Sequence, residues 1–184
     1  MERRGKKTLI ELSENTVLLA QDESRFASES NRITSWSAKG DSINYSGYRY
    51  GTSLNCFGSF NLHTGHLISS FHDTGNALTT IEHFKVVREH YGDKHIAYLI
   101  DNASWHKTKK VLEYCEENNI TLLFLPPYSP EFNPIERVWS FLKSKVKNIY
   151  FSTAKKFISF VSDLLQNINQ TDKDKLLNLC TSLI

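Results

Sequence analysis

The sequence predicts an α/β fold: a mixed five-stranded sheet with an antiparallel hairpin and with helices on both faces. Short, wholly apolar segments alternate with segments of helical periodicity in the second half of the chain, which is typical of parallel strands covered by helices. An earlier region alternates apolar and polar residues around a turn, as a hairpin does. With 184 residues, 40% of them hydrophobic, the chain suffices for one such domain and not for two.

Five segments are predicted to be strands. Residues 16–22 (TVLLAQD) and 95–101 (HIAYLID) are short apolar runs that each end in a carboxylate, and residues 121–125 (TLLFL) form a third run. We expect all three to be buried strands. Residues 54–71 alternate in polarity on both sides of a Thr-Gly turn, and this pattern predicts the two antiparallel strands of the hairpin.

Four helices are predicted from apolar residues that recur every three or four positions. They cover ALTTIEHFKVVREHY at 77–91 and the segments that follow Lys107, Pro134 and Thr153. In a sheet covered by such helices, reactive groups gather beyond the carboxyl ends of adjacent central strands. Asp22 and Asp101 are expected at two of these ends.

Composition excludes several classes of protein. The apolar runs are far shorter than the roughly 20 residues that cross a bilayer, and the start MERRGKK is not followed by an apolar signal core. We therefore expect a soluble, cytoplasmic protein with no membrane partner. Cys56 and the other two cysteines are scattered without a CxxC pair, which indicates reduced core residues. His63, His66 and His72 lie near Cys56 in sequence, but no four-ligand zinc spacing emerges.

The charge distribution matters more than the net charge of +2. Residues 137–162 contain six basic and no acidic residues, and Lys107, Lys109 and Lys110 form a second basic group. Such runs are usually solvated faces. They indicate a nucleic-acid partner only if they lie beside a chemical site.

Asp22 (LLAQDES) and Asp101 (YLIDNAS) each follow an apolar run. A single aspartate in this position is usually a turn residue, but two in the same context favour a shared site. If the strands are neighbours, the carboxylates repel each other unless a cation neutralises them. Oxygen ligands without a nearby cysteine suit Mg²⁺ or Mn²⁺.

All four prolines of the chain lie in FLPPYSPEFNPIERVW, shortly before Glu136. Asn133 is predicted to be the N-cap and Pro134 the first residue of a helix, which puts Glu136 in the first turn. Two interpretations of Glu136 stay open. It either reaches back to its own helix start in a capping box with Asn133, or it is a metal ligand that the rigid loop aims at the two aspartates.

Several features of the sequence point to one family. They are the segments DES, DNASWHK and LPPYSPEFNPIERVWSFLK, the segment WSAKG at 36–40, and the spacing of 34 residues between Asp101 and Glu136. Together they resemble the catalytic domain of DDE transposases. Within that group the chain is similar to the mariner superfamily, especially its bacterial insertion-sequence members, from about residue 17 to residue 147. The resemblance implies a ribonuclease H-like fold, in which Asp22, Asp101 and Glu136 are the catalytic residues and hold two Mg²⁺ ions, with Mn²⁺ as a substitute.

The implied activity is DNA strand cleavage by water, followed by attack of the 3′ hydroxyl on target DNA at a TA dinucleotide. The resemblance also implies roles for further residues. Asn102 is expected to orient Asp101 or a metal-bound water, and His106 to meet a phosphate. The expected DNA contacts are Lys107, Lys143 and Lys147 for phosphates and Trp36 for a stacked base.

Members of this family normally carry a helix-turn-helix region before the catalytic domain. We expect residues 1–15 to be a basic arm, residues 16–184 to be the catalytic domain and the helix-turn-helix region to be absent. The chain would then be the second frame of a split element, paired with an upstream helix-turn-helix product, or a truncated remnant. Expected partners are the element ends and a second copy, in a bacterial, nucleoid-associated setting.

Two alternatives to a transposase stay open. One is a noncatalytic remnant that binds DNA or dimerises with a full transposase. The other is a cellular ribonuclease H-like nuclease that acts on RNA hybrids or junctions, which shares the fold and the chemistry; the PPYSPEFNPIERVW segment argues against it.

Overall fold

The fold is seen in a computed structural model, which describes residues 16–28, 38–39, 52–147, 149 and 151–181. The predicted basic arm (residues 1–15) and the predicted base-stacking residue Trp36 lie outside the described residues. Within the described part of the chain, no helix is long and apolar enough to cross a membrane.

Five strands form one mixed sheet in the order β3-β2-β1-β4-β5. The first three strands pair in antiparallel fashion, whereas β1 with β4 and β4 with β5 are parallel. The predicted hairpin and the parallel second half are therefore confirmed. The strands are β1 (Thr16–Ala27), β2 (Ser53–Asn61), β3 (Leu67–His72), β4 (His95–Ile100) and β5 (Ile120–Phe124).

All four predicted helices are present, and a fifth follows them. The fifth, α5, was not predicted because it is short and only Leu176 and Cys180 are fully buried in it, too few to produce a helical pattern in the sequence. The α-helices of the described residues are α1 (Ala77–Tyr91), α2 (Lys109–Glu117), α3 (Ile135–Val146), α4 (Ala154–Thr171) and α5 (Lys173–Thr181).

The helices cover both faces of the sheet, as predicted. Alternate residues of β1 point to opposite faces: Leu18 and Ala20 join the apolar cluster that contains α3, α4 and α5, whereas Val17 and Leu19 join the cluster that contains α1 and α2. The three cysteines of the chain are buried and free, in agreement with the prediction that they are reduced core residues.

The predicted end of β1 at Asp22 is wrong, because the strand continues to Ala27. Its pairing with β4 stops at Ala20, opposite Leu99, but its pairing with β2 extends to the last residue of the strand. The antiparallel partner therefore holds β1 extended after the parallel partner has ended. Asp22 lies inside β1, two positions beyond its last pair with β4, and Asp101 directly follows β4 as predicted.

Candidate active site

Three carboxylates from separate elements line one cleft of about 530 Å³. Asp22 comes from β1, Asp101 from the end of β4 and Glu136 from the first turn of α3. The structure thus brings together the three residues that the sequence predicts as a triad. Asn102, Lys107 and the proline-containing loop from Leu125 to Pro130 also line the cleft.

The sheet places the two aspartates level with each other. The parallel pairing of β1 with β4 ends with Ala20 opposite Leu99, and each aspartate lies two residues further along the chain, Asp22 within β1 and Asp101 just after β4. Because residues two apart along a strand point to the same face, Asp22 and Asp101 follow Ala20 and Leu99 on one side of the sheet, and both line the cleft. This face also packs against α3, the helix that carries Glu136.

Asp22 is the carboxylate that the protein perturbs most. Burial raises its pKa to about 8, and the neighbouring charges of Glu136, Glu23 and Asp101 act in the same direction. A buried carboxylate next to other carboxylates holds its negative charge only when a cation or hydrogen-bond donors stabilise it. The electrostatics of the cleft therefore favour a bound cation.

One such donor is Trp139, a buried residue of α3 for which the sequence predicted no role in the site. Its Nε1 donates a hydrogen bond of 3.0 Å to Oδ2 of Asp22, although the ring itself is 1% exposed. A buried indole N–H usually has an acceptor. That rule, together with the position of Trp139 one turn after Glu136, is the signal that could have identified it.

Gly58 makes room for this tryptophan. It pairs with Asp22 across the β1–β2 ladder, and a Cβ atom at this position would lie 2.5 Å from Cη2 of Trp139. Any larger residue would therefore displace the indole ring. Gly58 and Trp139 together determine where the carboxylate of Asp22 points.

The start of α3 is anchored differently from the prediction. The side chain of Asn133 caps no backbone amide of the helix; instead its Nδ2 donates to the carbonyl of Gln21 at 2.9 Å. The prediction of an Asn133 N-cap is therefore wrong, because the asparagine ties the helix to β1 beside Asp22. Of the two interpretations of Glu136, the capping box with Asn133 is not formed. Glu136 is exposed to the cleft.

Asp101 is held by its own turn and by His106. Oδ1 of Asp101 accepts a hydrogen bond of 2.9 Å from the backbone N–H of Ala103 and lies 3.3 Å from Nε2 of His106. The His106 ring beside it keeps the pKa of Asp101 below its usual value. His106 is fully buried and also lies 3.7 Å from Glu23. The ring therefore faces carboxylates, whereas the sequence suggested a phosphate.

Asn102 does not contact the carboxylate of Asp101 through any hydrogen bond of the described residues. Its Nδ2 donates to the carbonyl of Leu125, and its Oδ1 accepts from Nζ of Lys107. Asn102 therefore joins the end of β4 to the loop after β5 and fixes Lys107 at the cleft. The ammonium of Lys107 also lies 5.1 Å from the ring centroid of Phe124.

Lys143 and Lys147 are exposed on or just after α3 but do not line the cleft. At 1.5 Å per residue, they lie about 10 Å and about 16 Å along the helix axis from Glu136. Both lysines place positive charge on the protein surface beyond the cleft. Of the three predicted DNA contacts that lie in the described residues, the structure places only Lys107 at the cleft.

The donor set fits a hard divalent cation. In the part of the chain that the structure describes, no group of three or more His, Cys, Asp or Glu side chains is close enough to hold a metal ion as it stands. Mg²⁺, however, is usually bound by one or two carboxylates and keeps several waters, which Asp22 and Asp101 can provide at this cleft. The zinc interpretation gains no support, since His72 contacts Glu82 and Ser70.

Comparison with known proteins agrees with this geometry. A family model described as DDE superfamily endonuclease matches residues 17–158. The Tcb2 transposase of Caenorhabditis briggsae is 30% identical over 78 residues, 42% of this chain and 29% of that protein. An uncharacterized protein of Sinorhizobium fredii is 49% identical over 49 residues, 27% of this chain and 34% of that protein. The chain thus matches about a third or less of the length of these two relatives.

Among solved structures, a mariner Mos1 paired-end complex with Mg matches with a TM-score of 0.74 at 16% identity. The match covers 98% of this chain and 56% of the Mos1 chain. Because the identity is low, the likeness concerns the fold, which is ribonuclease H-like as predicted.

Proposed function

The chain belongs to the DDE superfamily of endonucleases, and on that premise we propose that it is the catalytic part of a transposase that cleaves DNA strands and transfers them. The observation that carries the proposal is the meeting of Asp22, Asp101 and Glu136 at one cleft. The names of the Tcb2 and Mos1 relatives support the same activity.

The three carboxylates would hold two Mg²⁺ ions, with Mn²⁺ as a substitute. When bound, such a pair activates the attacking oxygen and stabilises the leaving oxygen of a phosphodiester. The fit rests on the oxygen donor set and on the raised pKa of Asp22, which a cation would bring down. The similar Mos1 paired-end complex contains Mg, which supports the choice of metal.

The protein's own residues then have distinct tasks. Asp22, oriented by the indole N–H of Trp139, and Asp101, positioned by His106, form one side of the site. Glu136 completes it from the start of α3. Lys107 supplies a positive charge at the cleft for the phosphate of the bound strand.

In the first step, water attacks the phosphorus and the bond to the 3′ oxygen breaks, which leaves a 3′ hydroxyl. In the second step, that hydroxyl attacks the phosphorus of a target phosphodiester, by family resemblance at a TA dinucleotide. The bond from this phosphorus to the target's 3′ oxygen breaks, and the target strand leaves with a free 3′ hydroxyl. A homodimer that bridges two element ends and an upstream helix-turn-helix product that recognises them belong to the same proposal and rest on the family resemblance.

The test is nicking of supercoiled plasmid by the full chain at low salt, with Mg²⁺ or Mn²⁺, compared with Asp101→Asn. We expect metal-dependent nicking that the substitution abolishes. Asp93→Asn is the matched control, because it makes the same change at the opposite end of β4, in the exposed turn before that strand, and should leave nicking intact. A folded chain that binds DNA but never nicks it would contradict catalysis and favour the noncatalytic alternative.

A further inference from the structure

Tyr128 lies at the rim of the cleft and has no partner in the described protein. Its side chain is 102% exposed, and it lines the same cleft as Asp22, Asp101 and Glu136. No hydrogen bond or ring contact of the described residues involves it. A large aromatic side chain that is wholly in water beside a reactive site contributes nothing to the protein's own packing.

The backbone at Tyr128 is also strained. Its φ angle is +55°, in the left-handed region, which is sterically unfavourable for a residue with a Cβ atom. Glycine would adopt this conformation at no steric cost, and asparagine at little. Because the ring has no compensating contact inside the protein, neither folding nor local geometry accounts for a tyrosine at this position. Strain of this kind accumulates where a residue is held for a ligand.

The loop presents the ring from a fixed position. The backbone N–H of Leu125 donates to Ile100 at 2.9 Å, which ties the start of the loop to the strand that leads to Asp101. At its end, Asn133 donates to Gln21 at 2.9 Å, next to Asp22. Between these anchors, prolines at 126, 127 and 130 limit the backbone. Because the loop is already restricted, the binding of a ligand to Tyr128 costs little conformational entropy of the loop.

The surroundings of the ring indicate the chemistry of the partner. Phe132, four residues further along the chain, is a second exposed aromatic residue, with 59% of its side chain exposed. Lys107 lines the same cleft and supplies a cation. Flat apolar surface beside a positive charge suits a nucleotide, whose base stacks on an aromatic ring while its phosphate meets the cation.

We propose that the Tyr128 ring stacks on a nucleobase of the DNA strand in the cleft, next to the phosphodiester that faces the three carboxylates. This rests on the proposed function, since the strand is the substrate of that site. Stacking of this kind is independent of base identity, because every base has an aromatic face. Tyr128 would thus determine how the strand lies across the cleft and leave sequence choice to other contacts.

The experiment uses the full chain with short nicked duplexes that carry 2-aminopurine at successive positions around the nick, in Ca²⁺ so that no cleavage intervenes. We expect one position to show quenched fluorescence with the wild type and with Tyr128→Phe, and the quenching to disappear with Tyr128→Ala. Affinity for DNA should fall by about 5- to 100-fold in Tyr128→Ala. Leu78→Ala removes another exposed apolar side chain, 59% exposed on α1, and should change neither quantity.

Unchanged quenching and affinity in Tyr128→Ala would overturn the proposal. So would a loss of self-association in that variant with quenching intact, because the ring would then serve contacts between copies. Plasmid nicking with Mn²⁺, measured in parallel, separates this inference from the proposed function. A wild type that nicks DNA without Tyr128-dependent quenching refutes stacking alone, whereas a wild type that neither binds nor nicks DNA refutes both.

Discussion

Nε1 of Trp139 donates a hydrogen bond of 3.0 Å to Oδ2 of Asp22, so a buried residue of α3 orients a carboxylate of β1. The helix that delivers Glu136 to the cleft therefore also positions the aspartate that Glu136 faces. Since both effects depend on the same helix, any shift of α3 would displace two of the three carboxylates together.

The first prediction concerns the hydrogen bond itself. Trp139→Phe keeps an aromatic ring but removes the donor, so the affinity for Mn²⁺ should fall about 10- to 100-fold, the usual cost of losing a group that orients a metal ligand. Stability should fall by only about 1–2 kcal/mol, for the smaller ring. Mn²⁺ binding by calorimetry, together with urea unfolding, separates the two effects.

Trp105→Phe is the matched control for that measurement. The Nε1 of Trp105 has no hydrogen-bond partner among the described residues, so the same loss of an indole N–H should leave Mn²⁺ affinity unchanged. Equal losses of affinity in the two variants would contradict a specific role for Trp139.

The second prediction concerns the space that Gly58 leaves. In Gly58→Ala the new methyl would meet Cη2 of Trp139 at 2.5 Å and Cδ1 of Ile135 at 3.2 Å, so the ring must move. We expect a loss of about 1–3 kcal/mol in the free energy of unfolding and weaker Mn²⁺ binding, because Asp22 loses its donor. Gly75→Ala, whose methyl would lie 3.7 Å from Trp105, should be nearly neutral. A neutral Gly58→Ala in urea unfolding would show that the contact is not tight in solution.

The parts of this site that the sequence could predict are those that depend on residues close together in the sequence. Asp101 and Glu136 follow local patterns, an apolar strand and a proline-led helix start, and both were placed correctly. The predicted end of β1 was wrong because β2, which begins 26 residues after β1 ends, keeps β1 extended. The role of Trp139 in the site was not predicted for the same reason, because it depends on Gly58 in β2 and on Asp22 in β1.

The third prediction concerns the charges around the cleft. Lys107→Gln should weaken DNA binding and reduce the slope of log affinity against log salt by about 0.9, as expected when one phosphate contact is lost. Lys94→Gln is the control, because this exposed lysine precedes β4, at the end opposite Asp101. The double variant Lys143→Gln/Lys147→Gln tests whether the strand also follows α3. An unchanged slope for Lys107→Gln would remove Lys107 from the binding surface.

The last prediction concerns pH and a histidine on the other face of the sheet. His83 is fully buried on α1, with Nε2 2.8 Å from Oγ of Ser59 and Nδ1 2.7 Å from Oγ of Ser70. Burial, aided by the neighbouring His72, lowers its pKa to about 3. The folded protein therefore keeps this imidazole neutral at pH values where the unfolded chain, with a pKa near 6.5, takes up a proton.

Because the unfolded state binds the extra proton, His83 contributes stability that is complete above about pH 6.5 and is lost progressively as the pH falls towards 3. The loss approaches about 1.4 kcal/mol per pH unit, or about 2 kcal/mol between pH 7.5 and pH 5. Gln cannot be protonated and can still hydrogen-bond to a serine, so His83→Gln should lack this component of the pH dependence. Urea unfolding of both proteins at the two pH values measures it. Parallel losses of stability in the two proteins would mean that the unfolding of the wild type is not coupled to protonation of His83.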